Sequence, residues 1–431
     1  MAIAAGSFVL KAILVWAVAN MPCTHDQCEY LTLADGLRSG QGIQLYDGFL
    51  WPPGFIAFLA ACLSLFGDSL TSPRMVQVLL STVTVGVVYA LGRRLADSRA
   101  GLAAAALFAF YPNLVGFTHL LWPETLYIFL FSCGLLFLVR DHAPAPRQVI
   151  AAGLCIGLAA LVRGIAFFFA PVAAAWLAWR FRHRPLLAPL LLVATAAVVA
   201  PWTVRNAVQY HRLVLIDTTV GHNLYIGTNV SPPSNWDLGF NDRRRIRDGR
   251  PRCDEANPAD RDGCELRHGL AFIATHPWLM LRRVPVKLAD LLNPSSFVLR
   301  HAVLGHYPHA FGATALRILT LVVVLPYVAV VVLGVLGLGL GPARPGQQLI
   351  LLLLAYHLAV HAVTFGMTRF RLPLMPFLMA AAGLLLTRSW RPLLAAASRR
   401  RLVVTGATLA VLAGLWIARL SPLLDVFRAA G

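Results

Sequence analysis

The sequence predicts an all-α polytopic membrane protein. Of its 431 residues, 58% are hydrophobic and only 13% are charged, whereas soluble domains carry about 25% charged residues. The mean hydropathy of +0.68 is correspondingly high. Apolar runs also recur along most of the chain, so water cannot be the only solvent of the folded protein.

Eleven segments are candidates for membrane spans, because a helix needs about 20 apolar residues to cross the hydrocarbon core. The amino terminus has neither a basic n-region nor a small-residue cleavage site, so we interpret it as an uncleaved first span. The candidates lie near residues 3–21, 74–92, 100–119, 124–139, 148–162, 165–179, 185–203, 314–339, 347–365, 370–387 and 402–420.

Residues 52–67, PPGFIAFLAACLSLFG, form either a twelfth span or a helix in the membrane interface. The distribution of arginine favours the interfacial helix. If this segment does not cross, five basic clusters share one face, as the positive-inside rule requires of short loops. These clusters are Arg93, Arg94 and Arg99; Arg140 and Arg147; Arg180, Arg182 and Arg184; Arg344; and Arg388, Arg391, Arg399, Arg400 and Arg401.

This topology divides the chain into three regions. Residues 1–203 are a transmembrane module with a first exterior loop at 22–73, residues 204–313 are an extracytoplasmic loop region, and residues 314–431 carry the last helices. The long loop has a basic run at 242–247, but long loops are translocated largely regardless of charge. The net charge of +18 would suggest nucleic acid in a soluble protein. Here most arginines lie in short interhelical loops, so we expect no nucleic-acid partner.

Four of the seven cysteines fall on the predicted exterior, where an oxidising compartment permits disulfides. They are Cys23, Cys28, Cys253 and Cys264, and four cysteines allow three connectivities. Free thiols are the alternative. The other three cysteines lie in apolar runs and are interpreted as packing residues.

The predicted spans contain few ionisable residues, chiefly Lys11, His357 and His361. Transporters place such residues inside their spans, where charge is costly and usually functional. A flippase or exporter of lipid-linked saccharide is therefore the less favoured alternative. Polar groups instead collect at the outer ends of helices, which favours a reaction at the membrane surface.

Two acidic positions are candidates for catalysis. Asp26 follows the first span, and its spacing to Glu29 and Tyr30 puts all three on one face of a helix. Glu124 begins another span after Trp122-Pro123. Each carboxylate has a structural alternative, since an acid at a helix start also stabilises the helix through capping and the dipole.

Four arginines are candidates for binding a phosphate or diphosphate, because guanidinium forms bidentate pairs with phosphate oxygens. Snorkelling to lipid headgroups is the alternative for each one. His25 beside Asp26 is too small a cluster to predict a metal. The four, all at or near predicted outer helix ends, are Arg163, Arg205, Arg369 and Arg371.

Taken in order, these motifs resemble the GT-C glycosyltransferases, and most of all the bacterial family 39 branch, which is related to protein O-mannosyltransferases and to the aminoarabinose transferase of lipid A. Asp26-x-x-Glu29-Tyr30 and the later Trp51-Pro52-Pro53-Gly54-Phe55 resemble that family's first exterior loop. Further similar features are Arg74, Gly92-Arg93-Arg94-Leu95, Glu124, Leu161-Val162-Arg163, Pro201-Trp202-Thr203-Val204-Arg205-Asn206, the segment 221–229, and Arg369-Phe370-Arg371-Leu372-Pro373.

The resemblance implies a GT-C-like fold of about 11 transmembrane helices plus interfacial helices in the first exterior loop. It also implies a multi-pass protein of the bacterial inner membrane that transfers sugar from a polyprenyl-phosphate-linked donor on the periplasmic face. The acceptor would be a hydroxyl of a glycolipid, glycan or protein, and the configuration of the sugar would be inverted.

By the same resemblance, Asp26 is the general base, Glu124 is a second catalytic residue, and Glu29 and Tyr30 support the first loop. The leaving phosphate is already a weak base, so charge stabilisation by arginine suffices and no metal or other cofactor is required. In one departure, Trp51 stands where some relatives have a basic residue. A non-catalytic assembly subunit is a further alternative. Candidates for sugar contacts in the long loop are Trp236, Asp237 and Trp278.

Overall fold

The computed structural model describes residues 1–46, 48–228 and 253–420. The basic run at 242–247 and the candidates Trp236 and Asp237 lie outside these ranges. Within them the regular structure is helical, apart from an isolated bridge between Tyr46 and Phe49. The all-α prediction is confirmed.

The described residues form nineteen α-helices and one 3-10 helix. They are α1 Ala2–Ala17, α2 Asp26–Arg38, α3 Pro53–Phe66, α4 Thr71–Leu95, α5 Ser98–Ala109, α6 Pro112–Gly116, α7 Glu124–Leu138, α8 Pro146–Val162, α9 Ile165–Arg180, α10 Leu187–Tyr210, α11 Val220–Thr228, α12 Pro258–Thr275, α13 Pro277–Leu291, α14 Phe297–Val303, α15 Ala313–Leu340, α16 Pro345–Val363, a 3-10 helix Thr368–Leu374, α17 Met375–Thr387, α18 Trp390–Ala396 and α19 Arg399–Ile417.

Six elements in the described part of the chain are long and apolar enough to cross a membrane: α4, α10, α15, α16, α19, and the 3-10 helix taken together with α17. Five shorter apolar helices, namely α1, α5, α7, α8 and α9, overlap the remaining predicted spans. The predicted span 100–119 is not one helix, since α5 ends at Ala109 and α6 begins at Pro112. The protein is therefore a multi-pass membrane protein. The count of eleven crossings stays a prediction, as does the interfacial placement of α3, which has 14 residues.

Small residues allow the long helices to pack closely, as is usual between helices in lipid. At Gly153 of α8, a Cβ atom would lie 2.8 Å from the carbonyl oxygen of Leu191 on α10. At Gly383 of α17, a Cβ atom would likewise clash with the carbonyl oxygen of Ala100 on α5, so glycine allows these two helices to approach. Ten of the thirteen residues of α17 are buried, so this helix forms the centre of the bundle.

Local sequence determines where several of the helices begin. Asp26 and Glu29 occupy the first turn of α2, where negative charge stabilises the helix dipole. Pro53 begins α3, at a position where its missing N–H costs nothing. The side chain of Asp97 caps α5 by accepting the backbone N–H groups of Arg99 and Ala100.

Two disulfides answer the question of cysteine connectivity: Cys23 pairs with Cys28, and Cys253 pairs with Cys264. The second disulfide links Cys253, which precedes α12, to Cys264 on α12. The helix α12 packs against α11. Trp278, the remaining sugar-contact candidate, lies on α13 and is 75% exposed.

Candidate active site

The chain between α1 and α2 is held in place by a buried arginine of α4. Arg74 donates hydrogen bonds to the carbonyl oxygens of Val18, Ala19 and Met21, at 3.2, 3.0 and 2.7 Å. A planar guanidinium with five donors suits such convergent acceptors. The segment that leads into Asp26 therefore has a defined position relative to the bundle.

The residue before Asp26 has an unusual backbone conformation. His25 has a φ of +50°, in the left-handed region that non-glycine residues rarely adopt. The Cys23–Cys28 disulfide closes the loop around it. Strained residues of this kind often occur beside functional groups, where the surrounding structure holds them.

A glutamine from α2 joins this loop to the segment that precedes Glu124. The Gln27 side-chain oxygen accepts the backbone N–H of Leu121 at 2.9 Å. From α4, Gln77 donates to the carbonyl oxygens of Thr118 and Leu120, at 3.3 and 2.9 Å. These buried bonds hold the start of α7, and hence Glu124, close to α2.

Four charged side chains from distant parts of the sequence form one cluster. Arg369 Nη1 lies 2.8 Å from Asp26 Oδ2, and Arg369 Nε lies 3.9 Å from Glu124 Oε1. Arg163 Nη1 donates to the same Glu124 oxygen at 3.0 Å. The Glu124 side chain is fully buried, and the other three are 15–21% exposed. The positive and negative groups alternate, so each buried charge has a neighbour of opposite sign that stabilises it.

Phe370 and two histidines support the arginines of this cluster. The guanidinium groups of Arg163 and Arg369 lie 5.0 and 5.5 Å from the centre of the Phe370 ring. His357 Nε2 donates to the carbonyl oxygen of Phe370 at 2.7 Å, and His361 Nδ1 donates to that of Phe365 at 2.9 Å. Sequence reasoning did not assign these roles, although the two histidines stood out as polar residues in a predicted span.

The cluster keeps Asp26 ionised at neutral pH. Burial opposes ionisation and is the largest single influence, but the charge and hydrogen bond of Arg369 outweigh it and lower the pKa of Asp26 below its usual value. Tyr30, one helical turn further along α2, is buried among the same charges. Burial, with the Asp26 charge next, raises the pKa of the Tyr30 phenol well above its usual range.

Comparison with known proteins gives consistent matches. Residues 51–204 match the family described as dolichyl-phosphate-mannose-protein mannosyltransferase. A stretch of 149 residues is 29% identical to the undecaprenyl phosphate-alpha-4-amino-4-deoxy-L-arabinose arabinosyl transferase of Pseudomonas aeruginosa, covering 32% of this chain and 27% of that protein. ArnT from Cupriavidus metallidurans, in a crystal structure with bound undecaprenyl phosphate, superimposes with a TM-score of 0.51 and 15% identity, covering 94% of this chain.

This chain shares the fold of ArnT. The oligosaccharyltransferase of Archaeoglobus fulgidus, in a complex with Zn and sulfate, shares the GT-C fold with a TM-score of 0.50, 15% identity and 98% coverage of this chain. The expected resemblance to GT-C glycosyltransferases is thus confirmed. The chain spans 63% of the matched ArnT and 52% of the matched oligosaccharyltransferase.

Arg205 lies near the carboxyl end of α10 but outside the four-charge cluster. It donates to the Ile43 carbonyl oxygen and to the side-chain oxygen of Asn206, both at 3.1 Å. Its guanidinium also lies 4.6 Å from the centre of the Trp202 ring. In this GT-C structure Arg205 holds the chain between α2 and α3, and it stays partly exposed.

Arg371 is two residues from Arg369 but points to a different place. It donates to the backbone carbonyl oxygens of Leu291, Asn293 and Ser295. Its guanidinium lies 3.7 Å from the centre of the Tyr327 ring and the residue is 2% exposed. The structure therefore does not bring Arg371 to the cluster, because its donors are used to join the 3-10 helix to the segment after α13.

Glu29, the remaining sequence candidate, is half-buried on α2. Among the described residues, one group of three metal-type side chains comes together, namely Cys253, Cys264 and His268. The two cysteines form a disulfide. Since thiolates are the species that bind metal, this group does not fit a metal ion.

A second acidic group, which sequence reasoning missed, lies where α11 meets α12. Asp262 accepts the backbone N–H groups of Gly221 and His222, at 2.7 and 3.3 Å. Glu265 Oε1 lies 3.1 Å from His222 Nδ1. Burial is the main cause that raises the pKa of Asp262 to about 6, and the nearby Asp217 adds to it.

Proposed function

We propose that this protein is a membrane glycosyltransferase that moves a sugar from a polyprenyl-phosphate-linked donor to an acceptor hydroxyl with inversion. The transfer takes place on the extracytoplasmic face. The matched relatives are transferases whose names include undecaprenyl phosphate or dolichyl phosphate, which supports this class of donor. The observation that carries the proposal is the cluster of Asp26, Arg369, Glu124 and Arg163, assembled from four distant parts of the chain.

Asp26 is the general base of the proposed reaction. Its Oδ2 accepts a hydrogen bond from Arg369, and in the proposed reaction Oδ1 accepts the proton of the incoming hydroxyl. The acceptor oxygen attacks the anomeric carbon as its proton passes to the carboxylate. The bond between that carbon and the phosphate oxygen breaks, and the electron pair leaves with the polyprenyl phosphate. A single displacement of this kind inverts the configuration of the sugar.

The leaving phosphate needs positive charge rather than a proton, because a phosphate is a weak base. Arg163 is the first choice for this role, since it is 19% exposed and one hydrogen bond to Glu124 orients it. Arg205, partly exposed at the end of α10, is the second. Arg369 positions Asp26, and Arg371 positions the 3-10 helix that carries Arg369.

Glu124 is proposed to hold the guanidinium groups of Arg163 and Arg369 next to each other rather than to transfer a proton. Its Oε1 accepts from Arg163, and its Oε2 is buried with no hydrogen-bond partner among the described residues. An unpartnered buried carboxylate oxygen is costly unless a donor reaches it. A hydroxyl of the bound sugar is such a donor, so we assign Glu124 Oε2 to the sugar. Tyr30 and Glu29 support the position of α2.

Replacing Asp26 with Asn tests the proposal. Purified protein is given undecaprenyl-phosphate-linked sugars and a panel of glycolipid, glycan and peptide acceptors, and the transferred sugar is counted. General-base catalysis contributes about 10²–10⁴-fold, so we expect Asp26→Asn to lose at least about 100-fold. The matched control is Asp35→Asn on the same helix, whose side chain is 65% exposed and paired with Arg38.

Transfer by Asp26→Asn at the rate of the unmodified protein would refute the assignment of the base. A second measurement separates the enzyme from a flippase. Proteoliposomes with lipid-linked sugar in one leaflet should show no movement of that lipid without an acceptor. Movement that Asp26→Asn leaves unchanged, together with no transfer by either protein, would instead identify a flippase or exporter.

A further inference from the structure

An apolar cavity of about 670 Å³ lies between α15, α16, α17 and α19, and the proposed reaction does not use it. Along α15 it extends from Tyr327 to Gly339, which is roughly 18 Å at the rise of an α-helix. Along α19 it extends over a similar distance, from Arg400 to Leu412. A length of this order is more than half the thickness of a bilayer hydrocarbon core of about 30 Å.

The helix that closes one side of this cavity has little contact with the rest of the protein. Only Thr405 and Leu412 of α19 are buried, while Val403 and Val404 are 63% and 57% exposed. The walls are mainly aliphatic, and water is not stable in an apolar space without polar partners. An empty gap would also leave the wall atoms without dispersion contacts. A hydrocarbon chain from the surrounding lipid needs no polar partner and supplies the missing dispersion contacts.

The two ends of the cavity differ in the charge that they offer to a ligand. At one end lies Arg371, whose donors are bound by backbone carbonyl oxygens. At the other end lie Arg400, which is exposed, and Arg401, which donates to the carbonyl oxygens of Leu338 and Gly341. None of the described residues that line the cavity is acidic. Arg371 is buried whereas Arg400 is exposed, so a phosphate can reach a guanidinium at the Arg400 end.

That end also has an unused polar group. The side-chain oxygen of Gln348 is buried in the cavity wall and has no hydrogen-bond partner among the described residues. An acceptor in this position suits a hydroxyl donor, such as the glycerol headgroup of phosphatidylglycerol. The distribution of arginine assigns this end of the bundle to the cytoplasmic leaflet, where basic pockets between helices bind anionic headgroups.

We propose that this cavity binds an anionic phospholipid of the cytoplasmic leaflet. The phosphate lies against Arg400 and Arg401, the headgroup hydroxyl donates to Gln348, and one acyl chain fills the gap between α16 and α19. The bound lipid joins α19 to the bundle. This site is separate from the charge cluster at Asp26, and it does not depend on the proposed transferase activity.

The test uses the full-length protein in nanodiscs, with native mass spectrometry to count bound lipids. Phosphatidylglycerol should bind with one copy that resists delipidation and should raise the melting temperature, whereas phosphatidylcholine should do neither. Arg400→Gln with Arg401→Gln should weaken that binding roughly 30-fold, since each arginine near an anionic surface contributes about 1 kcal/mol. Arg391→Gln, a basic residue of α18 outside the cavity, is the matched control.

A second variant tests the position of the acyl chain. Ala355→Phe fills the cavity from α16, and we expect it to exclude the lipid while it keeps the melting temperature measured in phosphatidylcholine. Equal binding of both phospholipids, unchanged binding in the double arginine variant, or polyprenyl phosphate as the retained species would each overturn the proposal.

Discussion

Replacing Arg369 with Gln removes the guanidinium that lies 2.8 Å from Asp26 Oδ2. An arginine at this distance lowers the pKa of an aspartate by roughly 1–3 units, and each unit corresponds to about 1.4 kcal/mol. Without Arg369, burial is the main remaining influence, and burial raises the pKa of Asp26. We therefore expect the pKa of Asp26 to rise and to exceed the usual aspartate value.

The measurement is the transfer rate between pH 4 and pH 8. A general base must be deprotonated, so activity falls as the pH drops through the pKa of Asp26. In the unmodified protein this fall lies below the usual range of aspartate, since the folded pKa is depressed. The stability that the Asp26–Arg369 pair contributes is likewise present above the unfolded pKa, and it is lost as the pH falls through the folded one. In Arg369→Gln the acidic fall in rate moves to higher pH.

Two further variants make the result specific. Arg163→Gln removes the other guanidinium, which binds Glu124 and not Asp26. It should lower the transfer rate, but the pH at which the rate falls on the acidic side should shift less than in Arg369→Gln. Arg369→Lys keeps a positive charge and should restore part of the shift. A reduced rate in Arg369→Gln with an unmoved acidic fall would show that Arg369 does not control the protonation of Asp26, and the reasoning would be refuted.

Three other predictions follow from particular contacts. Gly54→Ala should lower the melting temperature, at a cost of roughly 1–3 kcal/mol in stability, because its Cβ would lie 2.9 Å from the backbone of α8. In the control Gly86→Ala the new Cβ has nothing within 4 Å, so this variant should be neutral or slightly stabilising. Equal effects of the two substitutions would contradict this prediction. Raising the pH from 4 to 6 should lower the hydrogen-exchange protection of α11 and α12 after correction for the intrinsic rise of exchange with pH, because the folded pKa of Asp262 is raised to about 6 and the proton that it keeps stabilises the folded state below that pH. Corrected protection that stays constant or increases over this range would contradict it. Single cysteines at Arg99 and His276, both exposed, should react with an impermeant maleimide from opposite sides, and labelling of both from one side would refute the topology.

The sequence by itself determined the class of this protein. Hydropathy and length are properties of composition, so apolar runs predicted the long helices before any contact was known. The order of motifs around Asp26, Glu124, Arg163 and Arg369 predicted the GT-C resemblance. Each apolar run and each motif is readable within a window of about 20 residues, and the order of the motifs is read along the chain without any knowledge of contacts.

Only the tertiary structure decided which side chains meet. Asp26 and Arg369 are 343 residues apart, and no local pattern predicts their pairing. Arg369 and Arg371 appeared equivalent in the sequence, yet a 3-10 helix has three residues per turn, so side chains two positions apart point in different directions. One arginine therefore reaches Asp26, and the other binds backbone carbonyl oxygens. The cysteine pairing and the cavity beside α19 likewise depend on how distant segments pack, which composition does not specify.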